Sequence, residues 1–407
     1  MSAWPLRELG DVVEINPRLI RGIAASQKVS FVPMAAVDEI HGSIADRQVR
    51  EFGTVSKGFP TFIDGDVLFA KITPCMENGK AAIASDLVNG VGAGSTEFFV
   101  LRPSQDVLPE YVFHFVRRLS FREACKANFT GSAGQQRVPR SYLEKVVLPL
   151  PPPAEQLRIA RLLDRAVEIR RRADAARAKA RAIIPALFLD MFGDPAKDWS
   201  EATIDDILTK QANAIRTGPF GSQLKHSEFT DEGVPVLGID NVVDNEFKWA
   251  KPRHLPREKY EAFKRFRVFP GDVIVTIMGT TGRVAVAPAN LPECMNTKHL
   301  CAFTLDRCLA HPRFVQGALL FDPGVRAQAR GKANGQIMEG WNMGIVRSMR
   351  LHLPPLPLQT AFAEQVQRLE ATARALDAAA AKAEAMAAAL SAQIFDGSPG
   401  SAPGDGA

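Results

Sequence analysis

The sequence has few cysteines and no long apolar run, and each shortage excludes a class of protein. Five cysteines in 407 residues argue against a disulfide framework and predict reduced thiols in a cytoplasmic protein. No apolar run reaches the roughly 18 residues of a membrane span, and the first residues lack the basic-then-apolar pattern of a signal peptide. Hydrophobic residues make up 46% and charged residues 23%, as in globular proteins, and a length of 407 residues predicts about two to three domains. The net charge of +5 permits nucleic-acid binding without requiring it.

The usual signatures of catalysis are also missing. There is no Walker A segment, and the glycine-rich stretch 90–94 lacks the strand–turn–helix context of a nucleotide loop, so we interpret it as an ordinary turn. No Gly-x-Ser-x-Gly elbow and no Asn/Asp-Pro-Pro-aromatic segment are present. Cys294, Cys301 and Cys308 are spaced by seven, which matches no zinc pair and favours buried thiols. The sequence therefore predicts a protein without an active site or metal centre of its own.

The chain repeats itself at an offset of about 200 residues, a period that decides the fold. Residues 1–195 and 196–407 carry short matches in the same order, with offsets between 195 and 206. The matches include Trp4 with Trp199, Val32-Pro33 with Val234-Pro235, Gly65-Asp66 with Gly271-Asp272, Gly79-Lys80 with Gly282-Arg283, Ser95-Thr96-Glu97 with Asn296-Thr297-Lys298, Tyr111-Val112 with Phe314-Val315, Gly134-Gln135 with Gly335-Gln336, and Leu148 with Leu351.

Each half has the same predicted elements. A Gly-Asp turn precedes an apolar β-rich run, a glycine-containing loop leads to a second run, and the two form a hairpin. A third strand and a helical stretch follow, and a proline cluster ends the compact part. The strands are predicted at 67–72, 81–84 and 98–101 in the first half and at 273–277, 284–287 and 300–305 in the second, with helices near 109–127 and 311–330.

A long helix follows each proline cluster. Residues 154–192 and 358–395 have almost no glycine, and their apolar residues alternate in steps of three and four, which indicates a coiled coil. Two such helices bury each other's apolar stripes if they run antiparallel, and at 1.5 Å per residue each is about 58 Å long. Pro185 is expected to bend the first helix. The predicted helix-pair interface comprises Ile159, Leu162, Ile169, Ile183 and Leu187 with Phe362, Val366, Leu369, Leu376, Leu390 and Ile394.

The predicted fold is therefore α+β. Two repeated globular domains are separated by two long antiparallel coiled-coil helices with pseudo-twofold symmetry. The predicted boundaries are 1–150 for the first globular domain, 151–195 for the first helix, 196–355 for the second globular domain, 356–396 for the second helix and 397–407 for a disordered tail.

Polar residues in the loops are candidates for DNA contacts, because Arg, Lys, Asn and Gln read base edges and bind phosphates. The alternative for each is a solvated side chain, and for the Gly-Gln loops a turn that positions the next strand. The candidates are Asn78, Lys80, Asn128, Gln135, Gln136, Arg137 and Arg140 in the first half and Arg216, Ser222, Lys225, Thr280, Thr281, Arg283, Lys298, Lys332, Asn334 and Gln336 in the second.

Several segments resemble the specificity subunit of type I restriction–modification systems. Leu148 to Gln156 is similar to that family's entry into its first long helix, and Leu187 to Pro195 to the exit. Gly218-Pro219-Phe220-Gly221-Ser222 and Ser95-Thr96-Glu97-Phe98 are similar to motifs of its target-recognition domains. Two departures are Leu358, where a glutamate is expected before Gln359, and Pro185 inside the helix.

The resemblance implies a non-catalytic subunit that reads a bipartite DNA sequence. It implies double-stranded DNA, two modification (methyltransferase) subunits and two restriction subunits as partners, with no membrane. S-adenosylmethionine, ATP and Mg are expected on those partner subunits, with adenine methylation in each half of the target and cleavage of unmethylated DNA.

Overall fold

The chain folds into two compact units, each of which includes part of both long helices. The computed structural model describes residues 4–18, 22–132, 134–194, 198–220, 223–250, 253–333 and 341–396. The first unit is drawn from residues 1–176 and 374–407, and the second from residues 177–373. The predicted division into globular domains, helices and tail stays a prediction, and the tail lies outside the described residues.

Two four-stranded sheets and one strand pair form the first unit. The sheet orders are β2–β9–β6–β7 and β4–β3–β8–β5, and β1 pairs with β10. All four residues of β6 are buried, as expected of its continuous apolar run. The strands are β1 (Leu6–Glu8), β2 (Val13–Ile15), β3 (Lys28–Val32), β4 (Gln48–Glu51), β5 (Thr61–Ile63), β6 (Val67–Ala70), β7 (Ala81–Ile83), β8 (Val91–Gly94), β9 (Phe98–Pro103) and β10 (Val147–Pro149).

The helices of the first unit, apart from α2, pack on the sheet that contains β6. Tyr111, Phe115 and Phe121 are buried in its core. The helical stretch predicted near 109–127 is two helices, because the backbone of Arg118 between them is extended. The helices are α1 (Leu9–Val12), α2 (Phe52–Val55), α3 (Pro109–Arg117), α4 (Leu119–Ala127), α5 (Arg140–Lys145) and the long helix α6 (Pro153–Phe192), which continues into the second unit.

The second unit repeats this architecture. Its sheet orders are β12–β21–β18–β19 and β16–β13–β20–β17, β11 pairs with β22, and β14 pairs with β15. The strands are β11 (Ser200–Thr203), β12 (Ile215–Thr217), β13 (Val234–Leu237), β14 (Val242–Val243), β15 (Glu246–Phe247), β16 (His254–Leu255), β17 (Arg267–Val268), β18 (Val273–Thr276), β19 (Val284–Val286), β20 (Cys294–Asn296), β21 (Leu300–Phe303) and β22 (Arg350–Leu353). The helices are α7 (Arg257–Phe263), α8 (Pro312–Phe321), α9 (Pro323–Ala333), α10 (Met343–Arg347) and the long helix α11 (Leu356–Ser391).

Among the described residues, the strand orders of the two four-stranded sheets are the same in both units, and the second unit adds the pair β14–β15. Each has one parallel pair, β3 with β8 and β13 with β20, inside an otherwise antiparallel sheet. The predicted hairpins are the antiparallel pairs β6–β7 and β18–β19. The α+β class and the internal repeat are therefore confirmed.

One of the sequence matches pairs the wrong residues. Pro33 follows β3, whereas Pro235 lies inside β13. The last residues of these strands, Val32 and Leu237, hold equivalent places in the two parallel pairs. The match of Val32-Pro33 with Val234-Pro235 is therefore wrong, because the structural equivalent of Pro33 is Gly238.

The glycine-rich stretch 90–94 is a strand and not the predicted turn. Residues 91–94 form β8 in the middle of a sheet. A Cβ on Gly92 would overlap the ring of Phe62 on the neighbouring strand β5, so the absence of a side chain lets that ring pack against the backbone. The prediction of a turn is wrong because the glycines serve side-chain packing here.

The long helices pair in antiparallel fashion within each unit. In the first unit, Ile159 and Leu163 of α6 share a core with Leu390 and Ile394 at the end of the second long helix. In the second unit, Phe188 near the end of α6 contacts Phe362 near the start of α11, with 5.5 Å between ring centroids. The predicted coiled-coil pairing is confirmed. Helix α6 runs through Pro185 without interruption.

Part of the predicted stripe on α6 is displaced by one residue. Leu162, Ile169 and Ile183 are 36%, 37% and 46% exposed, whereas Leu163 is buried and Ile184 packs against the second core. The prediction of these three residues as interface is therefore corrected. The remaining predicted positions are buried or half-buried: Ile159 and Leu187 on α6, and Phe362, Val366, Leu369, Leu376, Leu390 and Ile394 on the partner helix.

The end of each long helix completes the core of one unit. Phe395, in the π-helical turn 392–396 after α11, packs on Tyr111 and Phe115 of α3, with ring centroids 5.1 and 5.5 Å away. Phe192, the last residue of α6, packs in the same way on Phe314 of α8 at 5.1 Å. The globular core of the first unit therefore includes nearly the last described residues of the chain.

Candidate nucleic-acid interface

Three segments of the first unit come together beyond the end of β6. The amide of Lys71 donates to the carbonyl of Glu97 at 2.9 Å, and the amide of Val138 donates to the carbonyl of Lys71 at 2.9 Å. The amide of Thr73 donates to the carbonyl of Gln136 at 3.0 Å. We call residues 71–80, 95–97 and 134–138 the first loop cluster. It brings together the candidates Asn78, Lys80, Gln135, Gln136 and Arg137.

The second unit has an equivalent cluster beyond the end of β18. The amide of Ile277 donates to the carbonyl of His299, and the amide of Trp341 donates to the carbonyl of Ile277, both at 2.9 Å. The Trp341 ring lies against Gly282. We call residues 277–283, 297–299 and Trp341 the second loop cluster. It contains the candidates Thr280, Thr281, Arg283 and Lys298.

Equivalent bonds show which residues correspond in the two clusters. Lys71 bonds to Glu97 as Ile277 bonds to His299, so His299 is the counterpart of Glu97. Lys298, which the sequence matched to Glu97, is one position earlier. We call the strands and backbone hydrogen bonds that the two units share the frame. The same place in the frame therefore carries a carboxylate in one unit and an imidazole in the other.

The carboxylate of Glu97 holds Arg137 in the first loop cluster. The Nε and Nη2 of Arg137 donate to the two oxygens of Glu97 at 2.9 and 2.8 Å. Hydrogen bonding by Arg137 lowers the pKa of Glu97 below its usual 4.5, and the positive charges of Arg137 and Lys71 act in the same direction, so the carboxyl is ionised at neutral pH.

The second cluster has a different chemistry. Burial, together with the charges of Lys298 and Arg253, lowers the pKa of His299 below 6.5, so its ring is neutral at pH 7 and carries both a donor and an acceptor. The buried hydroxyls of Thr280 and Thr297 lack a hydrogen-bond partner among the described residues. The second cluster therefore combines a neutral imidazole and two buried hydroxyls with the cations Lys298 and Arg283.

Lys80 and Arg283 have one structural role in common. Each directly precedes the second strand of its hairpin, and its carbonyl accepts the amide of the last residue of the first strand, Ala70 or Thr276. The Lys80 ammonium also donates to the carbonyl of Met34 at 3.3 Å, and the Arg283 guanidinium to the carbonyl of Val242 at 3.5 Å. Both side chains are half-buried, and they tie the hairpin to the segment after the parallel strand.

Arg216 does not belong to a surface site. It is 4% exposed and pairs with the fully buried carboxylate of Asp272, and it also donates to the hydroxyl of Thr304 at 3.0 Å. Burial raises the pKa of Asp272 and lowers that of Arg216, so each group depends on the other to stay charged. The prediction of Arg216 as a DNA contact is wrong, because its guanidinium is buried and pairs with Asp272 inside the second unit.

The remaining candidates lie apart from the clusters. Asn128 caps the end of α4 by donating to the carbonyl of Ala124 at 2.9 Å, and Arg140 pairs with Glu144 one turn later on α5 at 2.7 Å. Lys225 begins a turn that its amide closes onto Glu228. Lys332 lies in α9, while Ser222, Asn334 and Gln336 lie outside the described residues, so these positions stay predictions.

Comparison with known proteins relates the first part of the chain to one protein family. The model of the type I restriction modification DNA specificity domain matches residues 1–172. The chain is 40% identical to the type I restriction enzyme EcoEI specificity subunit of Escherichia coli over 159 residues, which are 39% of this chain and 27% of that subunit. Residues 1–172 therefore match the type I DNA specificity-domain family. The resemblance to specificity subunits stated from the sequence is thereby confirmed, although this match spans only about a quarter of the EcoEI subunit.

More distant relatives extend the similarity over both units. A putative type I restriction enzyme MjaX specificity subunit of Methanocaldococcus jannaschii is 21% identical over 401 residues, 90% of this chain and 87% of that one. The type I restriction–modification S subunit of M. genitalium aligns with a TM-score of 0.61 and 14% identity over 96% of each chain. A chain from a structure of type I complex assembly and conformational transition aligns with a TM-score of 0.59 and 19% identity over 97% of this chain and 98% of that one. At these identities the solved structures establish the fold.

Two glutamines that begin the long helices were not among the predicted site residues. Gln156 is fully buried; its amide oxygen accepts the amide of Leu108 at 2.8 Å, and its nitrogen donates to the carbonyls of Asp106 and Pro151. Gln359 makes the same three bonds with His311, Leu309 and Pro354. The signal was present, since both glutamines stand at the same distance after a proline cluster.

No described helix is both long and apolar enough for a membrane crossing. Within the described residues, the five cysteines are unpaired, and no group of three or more His, Cys, Asp or Glu side chains has the arrangement of a metal site. Burial raises the pKa of Cys125, Cys294 and Cys301 to about 12, which keeps these thiols protonated. The prediction of a buried thiol is wrong for Cys308, which is exposed.

Proposed function

We propose that this chain is the DNA-specificity subunit of a type I restriction–modification complex and reads a bipartite target. The observation that best supports this proposal is that both units have the same frame, while equivalent places in the two loop clusters carry different side chains. Glu97 in one cluster corresponds to His299 in the other, and Thr96 corresponds to Lys298. A shared frame with divergent loops suits two readers of two different half-sites.

The proposal includes the partners that the sequence resemblance implied. Double-stranded DNA lies against both loop clusters, and modification subunits dock on the chain to methylate an adenine in each half-site. With restriction subunits, the complex cleaves unmethylated DNA. S-adenosylmethionine, ATP and Mg belong to those subunits, and this chain contributes recognition without catalysis.

The direct test is sequencing of methylated bases in a host with and without the gene, with the modification subunits present in both. We expect one bipartite adenine-methylated motif that disappears when the gene is deleted. An identical set of methylated motifs in both strains contradicts the proposal. Purified chain that methylates or cuts DNA without partners contradicts its non-catalytic part.

A further inference from the structure

Arg137 is fixed at three of its five N–H donors. Two donate to the carboxylate of Glu97, and one on Nη1 donates to the carbonyl of Gln135 at 2.9 Å. One N–H on each terminal nitrogen has no partner among the described residues. The side chain is 39% exposed, so the guanidinium group is not enclosed by the protein. The guanidinium is therefore held rigidly while its remaining fork stays available.

An arginine that is held in place with a free N–H on each terminal nitrogen fits one base edge in the major groove of DNA. Guanine presents two acceptors, O6 and N7, and arginine pairs with both at once. We propose that Arg137 reads a guanine in the first half-site and that Glu97 is the positioning residue that presents its fork; this inference rests on the proposed function.

The charge of the pair favours a base contact over a phosphate contact. The ionised carboxylate of Glu97 lies within hydrogen-bond distance of the guanidinium, so Arg137 and Glu97 together carry no net charge. Attraction to a phosphate depends on net positive charge, whereas donation to O6 and N7 depends on the geometry of the N–H groups. Glu97 thus weakens the attraction of Arg137 to phosphates, which every DNA sequence contains, and leaves its hydrogen bonding to guanine unaffected.

The loop does not need the Arg137 side chain for its shape. The backbone amide and carbonyl of Arg137 pair with those of Thr130 at 2.9 and 3.0 Å, and the next amide, of Val138, bonds to the carbonyl of Lys71. Substitution of the side chain leaves these bonds in place. Variants at Arg137 therefore test recognition in a folded loop.

The test uses the full chain assembled with its modification subunits. Sequencing of methylated bases in the host defines the motif, and binding is measured for duplexes that carry this motif or one substituted base pair in the first half-site. Arg137→Lys keeps the charge and loses the planar fork. The expected result is a loss of discrimination by about tenfold to a hundredfold at a single guanine, with all other positions unchanged.

Two further variants separate positioning from structure. Glu97→Gln releases the fork, and a smaller loss at the same guanine is expected. Arg158→Lys is the matched control, because Arg158 on α6 makes the same two-bond pair with Glu155 at 2.7 Å outside the loop cluster. We expect this control to leave the preference for every base unchanged.

Different failures reject different claims. Unchanged discrimination in Arg137→Lys, or a uniform loss of affinity for every duplex, overturns the guanine contact. A change at another position in Glu97→Gln overturns the positioning role. A wild-type complex that prefers no bipartite motif overturns the proposed function itself, and the inference with it.

Discussion

The two units differ in how they stabilise the same buried carboxylate. Asp66 and Asp272 both follow a glycine, and each accepts a backbone amide three residues earlier, at 2.9 and 2.7 Å. In the first unit, Arg102 on β9 donates two bonds to Asp66, at 2.8 and 2.7 Å. In the second unit the equivalent of Arg102 is Thr304, which donates to Asp272 at 2.6 Å. The arginine that pairs with Asp272 is Arg216, which lies on β12.

This difference shows what the repeated frame requires. A buried aspartate needs a cation and hydrogen-bond donors, because an unpaired buried charge is costly. Either neighbouring strand can supply the arginine. Both units therefore keep the same charge balance with different residues, just as their loop clusters carry different side chains on the same backbone.

The largest expected effects concern the aromatic ends of the long helices. Phe395→Ala and Phe192→Ala each remove a buried ring and are expected to lower the free energy of unfolding by about 3–5 kcal/mol. Hydrogen exchange of the full chain measures each unit separately. We expect Phe395→Ala to expose the amides of β6 and Phe192→Ala those of β18. Exchange that accelerates equally in both units after either change contradicts the assignment of one ring to one unit.

The two carboxylates are expected to differ. Asp272→Ala leaves the buried guanidinium of Arg216 without its anion and is expected to cost about 3–5 kcal/mol. Asp66→Ala is expected to cost less, about 1–3 kcal/mol, because Arg102 is 27% exposed and its guanidinium can turn to water. Hydrogen exchange of β18 and β6 amides measures the two costs. Equal costs contradict the comparison.

The two glutamines are expected to behave alike. Gln156→Ala and Gln359→Ala each leave one amide and two carbonyls without a partner, with an expected cost of about 1–3 kcal/mol per unit. Gln365→Ala, on the exposed face of α11, is the control and is expected to stay within about 0.5 kcal/mol of the parent. Urea denaturation measures the free energy of unfolding of all three variants. A large loss of stability in only one of Gln156→Ala and Gln359→Ala contradicts the equivalence of the two glutamines.

Much of the frame could be predicted from the sequence because its signals are local. The Gly-Asp turns, the apolar runs after them and the helical spacing each act within a few residues. The side of α6 that is buried was less well determined. Leu162-Leu163 and Ile183-Ile184 are apolar doublets, so the heptad pattern fits either member, and packing against the units selects the second.

The chemistry of the candidate site was harder to predict. An exposed arginine and a buried arginine look alike in a sequence, and Arg216 is buried only because the distant Asp272 meets it in the fold. Glu97 and Arg137 are 40 residues apart, and their pairing depends on the bonds that gather the loop cluster. Residue type identified the candidates, but tertiary contacts decided which donors remain available.

Independent reading by the two units is the central claim, and exchange of one unit's globular part tests it most directly. Residues 1–150 are replaced by the corresponding segment of another specificity subunit, and methylated motifs are sequenced in a host that supplies the modification subunits. We expect one half-site to change while the other half-site stays as in the parent. A motif in which both half-sites change together contradicts the account.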